Sequence, residues 1–441
     1  MLQGLAEPQS SPVGANACRA LVIDLEGALL RSDLLHEAFF SDVRQSFASL
    51  RARRPSNRAA LMEALADANI DYDRLPYDPE ALNLVLAGRA QGRKIYLAFT
   101  RFRAHAEAIA SHLGFDGVVA SSDVTADGHK GALPLELDSF ERVGGRVGRR
   151  EINWRIWLNA LRVYQYAKNS LVFVPALTSH QMSPAAWGSA LLAFLAFSAC
   201  ASGAYLLNDL IDLAADRRHP GKVHRAIASG DLPISRALIA IPVLWLGSIA
   251  AALAISTPFL AALGAYLATT IAYSLLLKKK MLVDIVTLAG LYTIRIVGGS
   301  VAVGVTLSEW LLMFSFFIFT SLALIKRYGE LMMCRGEGLS DPTNRDYKVG
   351  DAEIIGALAA SSGMNAVIVF SLYASSTTVM QMYSRPWMLW LVNPLLLYWI
   401  SRALLAAHRR MMSDDPIIYT FTDSGSRIAI AAIMCIVLAA I

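Results

Sequence analysis

From about residue 160 onward the chain is built of long apolar stretches broken by short polar loops. Apolar runs recur near 160–178, 184–207, 233–254, 258–277, 282–304, 306–325, 352–376, 387–407 and 425–441. Each is as long, or nearly as long, as a helix needs to cross a hydrocarbon layer of about 30 Å. Nine transmembrane helices are therefore predicted. Just before and within the first run, Trp154, Trp157, Tyr164 and Tyr166 alternate with Arg155, Arg162 and Lys168. That mixture predicts an interfacial helix or the beginning of the first span. The first 150 or so residues have a different pattern, with short apolar runs such as Arg19 to Ile23 between polar helical stretches. The expected fold is a mainly α, multi-span membrane bundle carrying an N-terminal soluble α/β domain. The expected boundaries are a disordered segment over 1–17, a soluble domain over 18–150 and a membrane domain over 151–441.

Composition supports this division. The chain is 55% apolar and 17% charged, below the roughly 25% charge of an ordinary soluble domain. Its net charge of +5 does not indicate nucleic acid, because the basic residues of the second part gather in loops. Loops after even-numbered runs hold Arg217, Arg218, Lys222, Arg225, Lys278 to Lys280, Lys326, Arg327, Arg335, Arg345, Lys348, Arg409 and Arg410, whereas loops after odd-numbered runs hold Arg385 alone. The positive-inside rule then makes the even loops cytoplasmic, with the N-terminal domain on that side and the C-terminus outside a bacterial-type inner (plasma) membrane. Cys18, Cys200, Cys334 and Cys435 are far apart, which predicts free thiols. The N-terminus lacks the basic, apolar and small-residue order of a cleavable signal.

The stretch Asn208 to Gly230, NDLIDLAADRRHPGKVHRAIASG, carries the most distinctive chemistry. Asp209, Asp212 and Asp216 are spaced three and four apart, which places them on one helical face. Three carboxylates at a membrane edge repel one another and require a cation. An all-oxygen set suits Mg2+, which commonly shares its shell with a substrate phosphate. Arg217, Arg218, Lys222 and Arg225 follow as anion-binding candidates. Further polar groups punctuate the apolar runs: Tyr273, Ser274 and Lys278; Asp284 and Arg295; Lys326, Arg327 and Glu330; and Asp414, Asp415 and Asp423. Ionisable groups in or beside spans are functional candidates because burying them is costly. Other readings stand beside these. Lys279 and Lys280 serve as orientation signals, Asp284 and Arg295 pair along one helix, and Asp414 and Asp415 form a solvated turn.

In the soluble domain, Asp24-Leu25-Glu26-Gly27-Ala28 ends the first apolar run and resembles the DxDGT motif of the haloacid dehalogenase (HAD) superfamily. The resemblance implies that Asp24 stands at the position of the nucleophile and metal ligand. Glu26 replaces the acid/base Asp with a side chain one methylene longer, and Ala28 replaces the Thr. Residues 35–90 read as helices fit for a cap, 92–100 as a second strand with Thr100 or Phe99 at the Ser/Thr position, 115–121 as a further strand, and Lys130 as the motif lysine. The last acidic motif is missing. Residues 132–150 offer only Glu136, Asp138 and Glu141, with no strand expected before them. The resemblance therefore implies a degenerate domain kept for folding, docking or regulation rather than an active phosphatase.

NDxxDxxxD followed by a basic, Gly- and Pro-containing loop, in a chain of about nine spans, resembles the UbiA superfamily of intramembrane transferases. The resemblance implies a ring of helices around a cavity open to lipid, with the motif binding magnesium and the donor diphosphate. Lys326-Arg327-Tyr328-Gly329-Glu330 stands where prenyl-transferring members carry a second Asp-rich motif. RAIASG (Arg225 to Gly230), YSLLLK (Tyr273 to Lys278) and KRYGEL look like the branch of decaprenyl-phosphate phosphoribosyltransferases. The implied reaction moves 5-phosphoribose from soluble phosphoribosyl diphosphate to a polyprenyl phosphate lipid. In it, Asp209, Asp212 and Asp216 hold Mg2+, Asn208 orients a ligand, and Arg217, Lys222 and Arg225 neutralise the leaving diphosphate. Lys278 and Tyr273 bind the lipid phosphate, while Lys326, Arg327 and Glu330 hold the donor's 5-phosphate and ribose. Prenyl transfer to an aromatic or other small acceptor is the alternative enzymatic reading, and a non-catalytic scaffold or transporter is the third.

Overall fold

The structure, a computed structural model, describes residues 19–53, 64–66, 68–123, 140–144, 153–337, 341, 345–412 and 416–441. Two compact units emerge, residues 1–162 with 205–242 and residues 163–204 with 243–441. The acid-rich loop therefore groups with the N-terminal region.

In the first unit, β1 (Ala20–Asp24), β2 (Ile95–Phe99), β3 (Gly117–Ala120) and β4 (Phe140–Val143) form one parallel sheet in the order β3-β2-β1-β4. The central strands, ALVID and IYLAF, are almost continuously apolar and buried, as strands covered on both faces must be. Helices α1 (Leu34–Ser41), α2 (Val43–Arg53) and α3 (Pro79–Ala90) lie between β1 and β2, and α4 (Arg103–Leu113) lies between β2 and β3. Asp33 caps α1 by accepting from the Leu35 amide, and Asp78 caps α3, where Pro79 occupies the first turn. Leu21, Ile23, Leu34, Leu97 and Ile109 fill the core between these layers. The expectation of no strand in 132–150 is corrected by β4. It is only four residues long and half charged, FERV, which hides it from an apolar-run reading. As an edge strand it tolerates that charge, and Glu141 is paired with Arg93 at 2.8 Å.

The second unit is helical. After α5 (Trp154–Ala160), which belongs to the first unit, a 3-10 run over Val163–Phe173 leads into α6 (Val174–Thr178). Among the described residues, seven helices are long and apolar enough to cross a membrane: Pro184–Ile211, Ile234–Ile255, Thr257–Leu275, Val283–Val303, Glu309–Gly336, Val349–Ala374 and Pro386–His408. We label the α-helical parts α7 (Pro184–Ile211), then, after the short α8 (Leu213–Arg218), α9 (Ile234–Ile255), α10 (Thr257–Leu275), α11 (Val283–Val303), α12 (Glu309–Glu337) and α13 (Ala352–Ala374). Beyond α14 (Thr377–Met382) follow α15 (Val392–His408), α16 (Pro416–Thr422) and α17 (Ser424–Ala440). The expected nine spans thus become seven of sufficient length. The first predicted run is divided between a 3-10 segment and a five-residue helix, with Lys168, Asn169, Ser170 and Pro175 interrupting its apolar pattern. The last run forms a helix of 17 residues, about 25 Å long.

The helical core gathers Ile285, Ile296, Phe319, Ile325, Trp399 and Ile400 from α11, α12 and α15. Close approach depends on a glycine. A Cβ at Gly299 of α11 would lie 2.1 Å from the carbonyl oxygen of Val172 in the 3-10 run. Gly299→Ala should therefore destabilise the protein by about 1–3 kcal/mol, seen as a lower thermal unfolding midpoint in detergent. An unchanged midpoint would show that this contact is loose.

Candidate functional site

The acid-rich stretch begins inside α7 and passes through a break. Asp212 leaves helical geometry at φ −90° and ψ 8° and becomes the residue before α8. Hydrogen bonds nevertheless bridge the break, from the Asp212 amide to the Asn208 carbonyl at 2.9 Å and from the Asp216 amide to the Asp212 carbonyl at 2.8 Å. Helical i to i+4 hydrogen bonding thus continues across the break, although one continuous helix does not. Asp209 and Asp216 are buried, while Asn208 and Asp212 are half-buried.

One guanidinium nitrogen joins the two buried acids. Arg225 Nη1 donates to Asp209 Oδ1 at 3.0 Å and to Asp216 Oδ2 at 2.6 Å. Arg162 donates to the same oxygen of Asp209, and its guanidinium stacks over the Tyr205 ring at 5.0 Å. Arg162 follows α5 with φ at 53°, a left-handed conformation unusual for a non-glycine residue. Burial raises the Asp216 carboxyl above its ordinary range, and the charges of Arg225 and Lys222 oppose that shift. Among the described residues, no three His, Cys, Asp or Glu side chains converge as a metal cluster. The expected three-carboxylate set is thus, as arranged here, a pair bridged by a cation, with Asp212 nearby. The carboxylate oxygens are of the type magnesium takes when it shares its shell with substrate phosphates, and here Arg225 occupies one oxygen of each acid.

Arg217 does not join this group. Its side chain is buried, with Nη1 and Nη2 donating to the two carboxylate oxygens of Glu37 at 2.5 and 2.8 Å and Nε donating to the Ala228 carbonyl at 3.1 Å. Its sequence-based role as a diphosphate ligand is corrected on that ground. Gly230 ends the loop with φ at 76°, and a Cβ there would lie 2.9 Å from Cβ of both Arg31 and Pro76.

A second polar group forms in the helical unit. Asp284, at the start of α11, is fully buried and accepts from Arg327 Nε at 2.7 Å and the Tyr347 hydroxyl at 2.6 Å, with Arg345 Nη1 at 3.4 Å. Arg327 also pairs with Glu330, and its Nη2 reaches the Tyr273 hydroxyl at 3.5 Å. Tyr273, assigned from the sequence to the lipid phosphate, and Arg327 and Glu330, assigned to the donor, thus meet around Asp284, with Arg327 buried rather than presented to a ligand. Arg345 and Tyr347 carried no local sequence signal for this role. Lys278 lies in a 3-10 turn after α10 and Lys326 beside Arg327 on α12, both half-buried. The expected Asp284–Arg295 pair is also corrected. Arg295 donates to Asn169 Oδ1 at 2.7 Å and to the Tyr266 hydroxyl at 2.9 Å. Asp423 serves as the cap of α17 and pairs with Arg402 at 2.7 Å, while Asp414 and Asp415 lie outside the described residues.

At the sheet's C-terminal edge, Asp24 accepts from Arg142 Nε at 3.1 Å and Nη2 at 3.3 Å. Arg142 is on β4, the strand beside β1. Glu26 is half-buried in the turn after β1, Phe99 ends β2 and Thr100 follows it. Lys130, Glu136 and Asp138 lie outside the described residues.

The sequence profile of the UbiA prenyltransferase family matches residues 171–425. The chain belongs to this family. It is 32% identical to an uncharacterised protein, y4nM, of Sinorhizobium fredii, over 92% of this chain and 88% of that one. It is 34% identical to the decaprenyl-phosphate phosphoribosyltransferase of Mycobacterium tuberculosis, over 41% of this chain and 62% of that one. A solved structure of a UbiA homologue from Archaeoglobus fulgidus bound to GPP and Mg2+ superposes with a TM-score of 0.49 at 16% identity, covering 64% of this chain and 99% of that one. Family membership and the seven long apolar helices make this UbiA-family protein a multi-pass membrane transferase.

The Asp284 group is testable as a buried ion network. Asp284→Ala should cost about 3–5 kcal/mol by leaving Arg327 underpaired. Adding Arg327→Met should recover most of the loss, read by thermal unfolding of both variants in detergent. A double variant no more stable than the single one would contradict this account.

Proposed function

We propose that this UbiA-family protein transfers 5-phosphoribose from phosphoribosyl diphosphate to a polyprenyl phosphate. The observation that carries the reading is the Asp209–Arg225–Asp216 bridge, an acid pair that already holds a cation beside further basic groups. The likeness to a decaprenyl-phosphate phosphoribosyltransferase supports the choice of donor and acceptor. So does the Asp284 group. It balances two carboxylates with two guanidiniums, leaving little uncompensated acid for a second metal.

In the reaction, an oxygen of the lipid phosphate attacks the anomeric carbon, a new C–O bond forms, and the bond to the diphosphate breaks. Asp209 and Asp216, with Asp212, would hold magnesium, which when bound neutralises charge on the leaving diphosphate. Arg225 exchanges a carboxylate for a diphosphate oxygen, and Lys222 adds a second positive charge. Arg162 orients Asp209, and Asn208 orients a ligand. Lys278 and Tyr273 receive the lipid phosphate, and Lys326 takes the donor's 5-phosphate. Arg327 and Glu330 contribute by positioning Tyr273 and the ribose. Positioning and electrostatics suffice, because the leaving group needs no covalent help. The loop charges support an orientation with this chemistry and the N-terminal region on the cytoplasmic side of an inner membrane. The α/β region is read as a degenerate HAD-like domain, supported by an arginine, Arg142, engaging Asp24.

Prenyl transfer to a small acceptor is the second reading. It is favoured by an apolar cavity lined by Trp310, Leu311, Phe314, Phe370 and Tyr373, suited to an isoprenoid chain. Radiolabelled phosphoribosyl diphosphate and polyprenyl phosphate, incubated with the purified protein and Mg2+, should give labelled lipid. Asp209→Asn should reduce that product at least about a hundredfold, whereas Asp24→Asn should leave it unchanged. Turnover of a prenyl diphosphate with no phosphoribosyl lipid would decide for the second reading.

A further inference from the structure

The N-terminal α/β region grips the acid-rich loop at both ends. At the first end, Arg217 of α8 is buried in a two-point ion pair with Glu37 of α1. Its carbonyl accepts from Arg74 at 3.3 Å, and the neighbouring Arg218 pairs with Asp71 at 3.4 Å. At the other end, Arg31 bridges Asp78 at 3.2 Å and Asp231 at 3.4 Å, and Gly230 is pressed against Arg31 and Pro76. Arg217 Nε also ties the ends together through the Ala228 carbonyl. Between these anchors the chain runs through turns and presents Lys222 and Arg225.

Glu37 and Arg217 are each less than a tenth exposed. A buried pair of this kind is weak evidence for net stability, since an apolar pair often serves as well. It does fix geometry, because the planar guanidinium fork accepts a carboxylate in one orientation. The residue so fixed is the immediate neighbour of Asp216.

We propose that the α/β region is a positioning clamp for the donor site, with Glu37 as its key positioning residue. Resting on the donor-site reading above, this assigns the region a role that needs no phosphatase chemistry. By holding Arg217, Glu37 sets the direction of α8 and hence of Asp216. By holding Arg217 against Ala228, it also sets the loop that returns Arg225 to the acid pair. Ordering the loop beforehand lowers the entropic cost of binding a metal–diphosphate.

The test uses the full-length protein in detergent, with Mn2+ and inorganic pyrophosphate as probe and electron paramagnetic resonance of bound Mn2+ as readout. Glu37→Ala should weaken binding about tenfold and increase amide exchange over 213–231, with exchange in α11 to α13 unchanged. Glu37→Asp should restore part of the affinity. The apolar pair Glu37→Met with Arg217→Met separates positioning from folding. It should unfold near the wild-type temperature yet bind as weakly as Glu37→Ala, and it serves as the test if the single variant fails to fold. Wild-type affinity in the Met pair, or in Glu37→Ala while Asp209→Asn abolishes binding, would overturn the clamp. Wild-type binding in Asp209→Asn as well would overturn the donor-site reading, and the clamp with it.

Discussion

Two buried carboxylates side by side are unstable without positive charge between them, and here a single nitrogen of Arg225 supplies it. Much of the first unit is arranged around that requirement. The helix carrying Asp209 must end where Asp216 can return to the same nitrogen, and the four-residue hydrogen-bond spacing through Asp212 achieves this. Arg225 lies nine residues beyond Asp216, so the loop must fold back over that distance. Arg162, stacked on Tyr205 in a left-handed conformation, adds the second cation. A guanidinium is well suited to this post, because it remains charged and can move from a carboxylate to a phosphate without losing hydrogen-bond number.

The helical unit handles buried charge in two ways. Around Asp284 the charges cancel among themselves, with two arginines, a second carboxylate and a tyrosine hydroxyl. Around Arg295 an amide oxygen, a backbone carbonyl and aromatic faces of Tyr266 and Tyr292 surround the cation, and Asp284 is engaged elsewhere. The first arrangement gathers groups from three parts of the chain at the start of α11. The second lies within α11 itself, where amide and aromatic partners soften the cost of an intramembrane charge.

Much of this was readable in the amino-acid order. Long apolar runs located the seven long helices, and the Asp209, Asp212 and Asp216 repeat located the acid pair. The apolar runs ending at Asp24 and Phe99 located the two central strands. The missed pairings share one physical origin, because local pattern does not reveal partners distant in sequence. Arg162 lies 47 positions from Asp209, and Arg217 is separated from Glu37 by 180. Spacing alone suggested Asp284 with Arg295, but Arg327 and Tyr347 reach that carboxylate from elsewhere. The edge strand β4 was missed because its stability comes from pairing with β1, not from its own apolar content.

The glycine that ends the acid-rich loop has a consequence for how this chain can change. Gly230 is constrained twice, by a left-handed backbone and by side chains from the other end of the sequence. Mutations at position 230 and at Arg31 or Pro76 are therefore not independent. A side chain at 230 would need the Cβ atoms of Arg31 and Pro76 to withdraw and would still meet the strain of the left-handed backbone. The α/β region and the loop are thus tied as a heritable unit, and a functional graft of either onto a relative would need both surfaces transferred together.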